Sequence, residues 1–187
     1  GTDPGSVIGL IAGGDAAITR SVEGAEDDVG AAVGQLNQID FSSRDVLVGI
    51  AASGRTPYVL TALEYANRLG ACTIAVCSTP EAAVAKAARL AITPLVGPEA
   101  IAGSTRLKAG TAAKMVLNML TTAAMIRLGK VYGNRMVDLQ PTNVKLWERA
   151  KRIVAEAAGV SKQDAEEALN LAGRNPKTAI VMLKAAC

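Results

Sequence analysis

Four apolar runs of strand length alternate with helical stretches through the first half of the chain, and that alternation leaves few folds open. Residues 7–12 (V-I-G-L-I-A) end in Gly13-Gly14 and lead into a helix expected from about Asp15. Residues 45–51 (D-V-L-V-G-I-A) precede S-G-R-T-P and a helix to about Leu69, which Gly70 closes. Residues 72–77 form a third strand, 80–89 a short helix and 90–96 a fourth strand, and a long helix follows over 107–128. Strands that are apolar throughout and alternate with helices predict an α/β fold with a parallel sheet covered on both faces.

After Gly129 the pattern changes. Residues 131–142 read as a connecting stretch without a clear period. Helices are expected over 143–158, 161–171 and 177–186, separated by Gly159 and by residues 173–176. Ser161 and Asp164 have the spacing of an N-terminal cap and its returning carboxylate. The tail resembles the ubiquitin-associated three-helix fold. The expected division is a sheet domain over residues 1–141 and a small helical unit over 142–187.

At 187 residues the chain has room for one α/β domain and such an appendage. Half of its residues are apolar but only 3% are aromatic, so the core must be aliphatic. The net charge of +3 comes from nearly balanced totals, with no basic block and few rings for stacking, which argues against a nucleic-acid partner. No apolar run reaches membrane-spanning length and no signal peptide opens the chain, so no membrane partner and a cytoplasmic location are expected. Histidine is absent, leaving Glu, Asp or Lys for any general base. Cys72 and Cys77 lie at opposite ends of one strand and Cys187 is terminal, an arrangement suited neither to zinc nor to a disulfide framework. The expected chemistry uses no metal and no cofactor.

Three segments carry polar groups in suggestive order. Residues 97–114 (G-P-E-A-I-A-G-S-T-R-L-K-A-G-T-A-A-K) run from a loop into the long helix. A helix start offers unpaired N–H groups and a positive dipole end, which suits an anion. Arg106 and Lys108 are either anion ligands, each charge-assisted bond contributing about 1.5–3 kcal/mol, or exposed first-turn residues. Glu99 is a second carboxylate candidate or a loop brace, and Ser104 with Thr105 can cap the helix. Residues 49–57 (G-I-A-A-S-G-R-T-P) put Ser53, Gly54, Arg55 and Thr56 at a strand-to-helix turn: a phosphate cradle or an ordinary capped turn. Residues 21–28 (S-V-E-G-A-E-D-D) place Glu23 and Glu26 three apart, on one helical face if the segment is helical. Four acids in six residues form a solvated face or supply the base that a His-free protein needs.

These segments resemble, in order, the signature, phosphate loop and V-E-G-A-E-D motif of the N-acetylmuramic acid 6-phosphate etherases. That family shares the sugar isomerase (SIS) fold with the glucokinase regulatory protein. Residues 114–118 (K-M-V-L-N), 125–133 (M-I-R-L-G-K-V-Y-G), 134–143 (N-R-M-V-D-L-Q-P-T-N) and 175–183 (N-P-K-T-A-I-V-M-L) also look like the etherases. The regulatory protein is longer and carries a second SIS domain, so the resemblance favours the etherase. It implies a SIS domain that binds a phosphosugar through Ser53, Gly54, Arg55, Thr56, Glu99, Ser104, Arg106 and Lys108. Ser53, Gly54 and Thr56 match the S-x-S-G-x-T loop of SIS domains, with Ala51 in place of the first serine. Glu26 takes the place of the family's catalytic acid/base glutamate, and Glu23 that of a structural neighbour.

The implied reaction cleaves the lactyl ether of N-acetylmuramic acid 6-phosphate to N-acetylglucosamine 6-phosphate and D-lactate, in cell-wall amino-sugar recycling. The sugar opens to its aldehyde, a carboxylate removes the C2 proton, lactate leaves from C3, and water adds back. Homodimerisation is expected with it. The resemblance further implies that the family carries more chain before Gly1: a first strand with a glycine-serine loop, and another catalytic glutamate. That strand would lie between those of residues 7–12 and 45–51, so the chain is expected to be a truncated member with two unpartnered inner edges. A non-catalytic phosphosugar-binding SIS module is the alternative, and an aldose–ketose isomerase a third.

Overall fold

Residues 2–185 are described by the structure, a computed structural model. The chain divides into two compact units, Val7–Met119 and a second comprising Gly1–Ser6 with Leu120–Cys187.

In the first unit the helices are α1 (Ala16–Thr19), α2 (Val29–Gln38), α3 (Pro57–Arg68), α4 (Ala83–Ala87) and the start of α5 (Lys108–Arg127). The strands are β1 (Val46–Ile50), β2 (Cys72–Val76) and β3 (Leu90–Ile92), parallel and in the order β1-β2-β3. Val46 pairs with Cys72 and Ile74 with Leu90. Each pair is joined through a helix, and right-handed crossovers put α3 and α4 on the same side of the sheet. There Leu63 and Val84 close over Ala51 and Ala75. Pro57 starts α3, where a missing N–H costs nothing. Asp28 caps α2 by accepting from the Ala31 amide at 2.9 Å. Ala32 and Leu36 of α2 then pack on Tyr58 and Ala62 of α3. Buried Thr73 donates to Asn67 Oδ1 (2.8 Å) and accepts from the Arg89 amide (2.9 Å), tying β2 to the end of α3 and the turn into β3.

Two expectations fail in this unit. Residues 7–12 form no strand: Val7, Ile8 and Ile11 are exposed in irregular chain, and only Leu10 and Ala12 touch the core. A strand exists through the ladder it shares with a neighbour, and β1 pairs only with β2 among the described residues. Leu63 of α3 and Val84 of α4 close one face of the sheet; on the other Val76 is buried, while Val46, Ile50 and Leu90 are exposed. Glu23 and Glu26 share no helix. The helix after Asp15 stops at Thr19, Gly24 adopts a left-handed φ of 71°, and Glu26 lies in the short 3-10 turn Ala25–Asp27.

The second unit is built from α6 (Val144–Ala158), α7 (Lys162–Leu171) and α8 (Pro176–Ala185). Asn143 caps α6 by accepting from the Leu146 amide, and Gly159 ends it at a left-handed φ of 73°. The Ser161–Asp164 capping box opens α7. Ala150, Ile153, Val154, Leu169 and Ile180 share one core with Val137 and Leu139. The stretch read as patternless holds a hairpin of β4 (Val131–Tyr132) and β5 (Arg135–Met136), too short for its alternation to register. Lys130 forms an ion pair with Asp138 across it, holding that carboxyl below its ordinary value. The expected end of the last helix at residue 186 lies outside the described residues. No helix among the described residues is long and apolar enough to cross a membrane.

Candidate functional site

The turn between β1 and α3 is fixed by Gly54. Its φ is 68°, its amide donates to the Ala51 carbonyl (2.8 Å) and its carbonyl accepts from the Val84 amide (3.1 Å). A Cβ built there would sit 2.3 Å from the Ala82 Cβ, so both the backbone and the space require glycine. The Ser78 amide adds a bond to the Ala52 carbonyl (2.9 Å), joining the turns that follow β1 and β2. Ser53 and Arg55 are exposed, and the Arg55 amide donates weakly to Ser53 Oγ at 3.4 Å. Thr56 is the N-cap of α3, but its hydroxyl makes no capping bond. Two hydroxyls and a guanidinium thus stand at the positive end of a helix, a composition suited to a phosphate.

At the start of α5 the geometry decides between the two readings of Glu99. Its carboxylate accepts from the amides of Lys108 (3.0 Å) and Ala109 (3.1 Å), so it braces the loop onto the helix. Those backbone donors, Ala109 first, hold its carboxyl below the ordinary value. Ser104 and Thr105, expected caps, leave that role to Glu99, nine residues upstream of Lys108. Lys108 Nζ donates to the Pro98 carbonyl (2.9 Å), and Arg106 Nε donates to Ser104 Oγ (3.0 Å). Lys108 also lines an open hollow of about 510 Å³ with Val96, Leu107, Thr111 and Ala112.

Glu26 is exposed and takes no hydrogen bond or ion pair among the described residues; Glu23 accepts from Ser21 Oγ at 3.2 Å. The turn carrying Glu26 packs against α3, the helix that the Ser53–Thr56 turn begins. Each group of predicted residues is therefore held within itself, and all lie in the first unit. Among the described residues no hydrogen bond or ion pair joins one group to another. No group of three or more Cys, Asp or Glu side chains among them is placed to hold a metal ion.

Sequence reasoning passed over Tyr58, two residues beyond Thr56. Its hydroxyl donates to Gln35 Oε1, whose amide in turn donates to the Ile11 carbonyl at 3.3 Å. Burial pushes the Tyr58 hydroxyl up from its ordinary value. This relay ties the start of α3 to α2 and to the irregular segment after Val7. One signal was available: Tyr58 is one of three tyrosines in a chain with a single Phe and a single Trp.

Two family models match the chain: the N-terminal SIS domain of glucokinase regulatory protein over residues 3–67, and the C-terminal lid domain of the same protein over residues 133–181. N-acetylmuramic acid 6-phosphate etherase 2 of Vibrio parahaemolyticus is 58% identical over 185 residues, 99% of this chain and 62% of its own length. The N-acetylmuramic acid 6-phosphate etherase of Alkaliphilus metalliredigens is 55% identical over 187 residues, 100% of this chain and 61% of its own length. The second such etherase of Vibrio cholerae is 60% identical over 176 residues, 94% of this chain and 57% of its own length. The chain thus spans about 60% of the length of the curated relatives it matches.

Proposed function

We propose that this chain, a member of the N-acetylmuramic acid 6-phosphate etherase family, acts on the phosphosugar that its relatives are named for. The reaction is cleavage of the D-lactyl ether of N-acetylmuramic acid 6-phosphate, giving N-acetylglucosamine 6-phosphate and D-lactate. The observation that carries this reading is 55–60% identity to etherases across 94–100% of the chain.

In this reading residues 1–141 hold the substrate and residues 142–187 form the accompanying helical unit. The phosphate sits at the start of α3, where the Ser53 and Thr56 hydroxyls, the Arg55 guanidinium and the close backbone at Gly54 meet it. Arg106 and Lys108 supply positive charge for the second anionic group, the lactyl carboxylate, with Ser104 placing Arg106 and Glu99 holding the start of α5. Glu26 is the acid/base group. Its carboxylate exchanges a proton with the opened sugar as lactate leaves and water adds, a role worth about 10²–10⁴-fold in rate. The reading carries with it a cytoplasmic homodimer working in amino-sugar recycling.

The test is D-lactate release from N-acetylmuramic acid 6-phosphate by this chain, with Glu26→Gln alongside. Release by the wild type and a loss of about 10²-fold or more in the variant is expected. Equal rates from both would remove Glu26 from the chemistry. A phosphosugar that binds and is recovered unchanged would select a non-catalytic binding module instead.

A further inference from the structure

A concentration of positive charge outside these groups lies on the second unit. Lys145, Arg149 and Arg152 of α6 and Lys162 of α7 line one hollow of about 640 Å³. The spacings of four and three residues put the α6 cations on one helical face, and 1.5 Å of rise per residue spreads them over about 10 Å. None of the four enters an ion pair among the described residues. Glu148, the one carboxylate in the lining, is engaged by Lys151 at 2.6 Å. Four cations and a single carboxylate, itself engaged by Lys151, therefore share one concavity in a chain whose whole net charge is +3. Like charges at these spacings repel, so a bound anion would relieve a cost that the free protein carries.

We propose that this hollow is a binding site for a small ligand bearing a chain of two or three phosphates. A single phosphate reaches too few of cations spread over about 10 Å, whereas a linear polyphosphate meets them in succession, with Arg149 and Arg152 able to grip it bidentately. The volume falls in the range of small-molecule sites, about 300–1,000 Å³. No aromatic side chain lines the hollow, so it lacks the stacking surface that a single-stranded nucleic acid would use. Inorganic polyphosphate and a nucleoside triphosphate share the recognised chemistry. The proposal stands independently of the phosphosugar reading, which uses other residues.

The experiment is calorimetric titration of the full chain with orthophosphate, tripolyphosphate, a nucleoside triphosphate and poly-glutamate. Saturable binding of tripolyphosphate about tenfold or more tighter than orthophosphate is expected, weakening with salt. The pair Arg149→Glu and Arg152→Glu, both exposed and therefore compatible with folding by circular dichroism, should lower that affinity at least about tenfold. Arg44→Glu, on the other unit, should leave it unchanged. A nucleoside triphosphate that binds tighter than tripolyphosphate assigns the source to a nucleotide; equal binding assigns it to the phosphate chain alone. Four results would overturn the proposal: no saturable binding, equal affinity for ortho- and tripolyphosphate, tighter binding of poly-glutamate, or binding that survives the double variant and is lost with Arg55→Glu.

Discussion

The three C-terminal helices cover one another, whereas the sheet leaves much of its apolar surface uncovered. In α6, α7 and α8 the inward residues Ala150, Val154, Ala165, Leu169 and Ala179 are fully buried. In the sheet unit Val46 and Leu90 are each 56% exposed, and Val7, in the irregular segment before α1, is 68% exposed. The difference follows from where each element finds its partners. A helix satisfies its backbone internally and needs only a neighbour for its apolar stripe, and these three helices follow one another within 42 residues, Val144–Ala185. A parallel strand needs another strand beside it, delivered by a crossover from farther along the chain. Among the described residues β1 has a strand partner on one side only, which leaves its far edge open.

If the two units are unequal in this way, each should fail separately. The largest effect is expected from Leu169→Ala, which opens a cavity in the filled helical core and should cost about 2–5 kcal/mol. Amide exchange would show it as lost protection in α6–α8 with β1 and β2 unchanged; a loss spread equally over both units would break the comparison. Gly54→Ala comes next. It drives a Cβ against Ala82 at a left-handed backbone position, and overpacking plus that conformation should cost about 2–4 kcal/mol. Here the loss should fall on β1, β2 and α3, and the phosphosugar binding proposed for this turn should be lost with it.

The smallest effect concerns acid. Glu99 in the sheet unit and Asp138 in the helical unit both have lowered pKa values, the first through the backbone donors of Ala109 and Lys108, the second chiefly through Lys130. A lowered folded-state pKa stabilises above the ordinary carboxylate range and is lost as pH falls through the folded value. Protection at the start of α5 and around the β4–β5 hairpin should therefore decline on acidification below that range. Glu99→Gln and Asp138→Asn should each flatten the decline in its own unit only. A decline unaffected by either substitution would remove both carboxylates from the acid response.

Much of the architecture was legible because its causes are local. The capping box at Ser161, the stop at Gly159 and the Pro57 start of α3 depend on residues within a turn of one another, and the helices they bound agree with the reading to within a few residues. The candidate site was legible only in its groups. Nothing local announces that Glu99 reaches nine residues forward to cap α5, nor that Tyr58 is joined through Gln35 to Ile11. The hairpin at Val131 is two residues per strand, below the length at which a period of two can be seen.

By itself the sequence determined the alternation of β1, β2 and β3 with their helices, the three C-terminal helices, the aliphatic core and the resemblance to the etherases. Its apolar runs, caps and glycines act over a few bonds, and its motifs are strings. The tertiary structure alone decided that residues 7–12 stay out of the sheet, that Glu26 stands on a 3-10 turn away from Glu23, and that Gly54 has no room for a side chain. Each of these depends on a partner distant in sequence: a strand edge that is or is not present, the approach of α3, the Ala82 methyl. Hydrogen-bond ladders and van der Waals contact are properties of such pairs, and no single segment contains them.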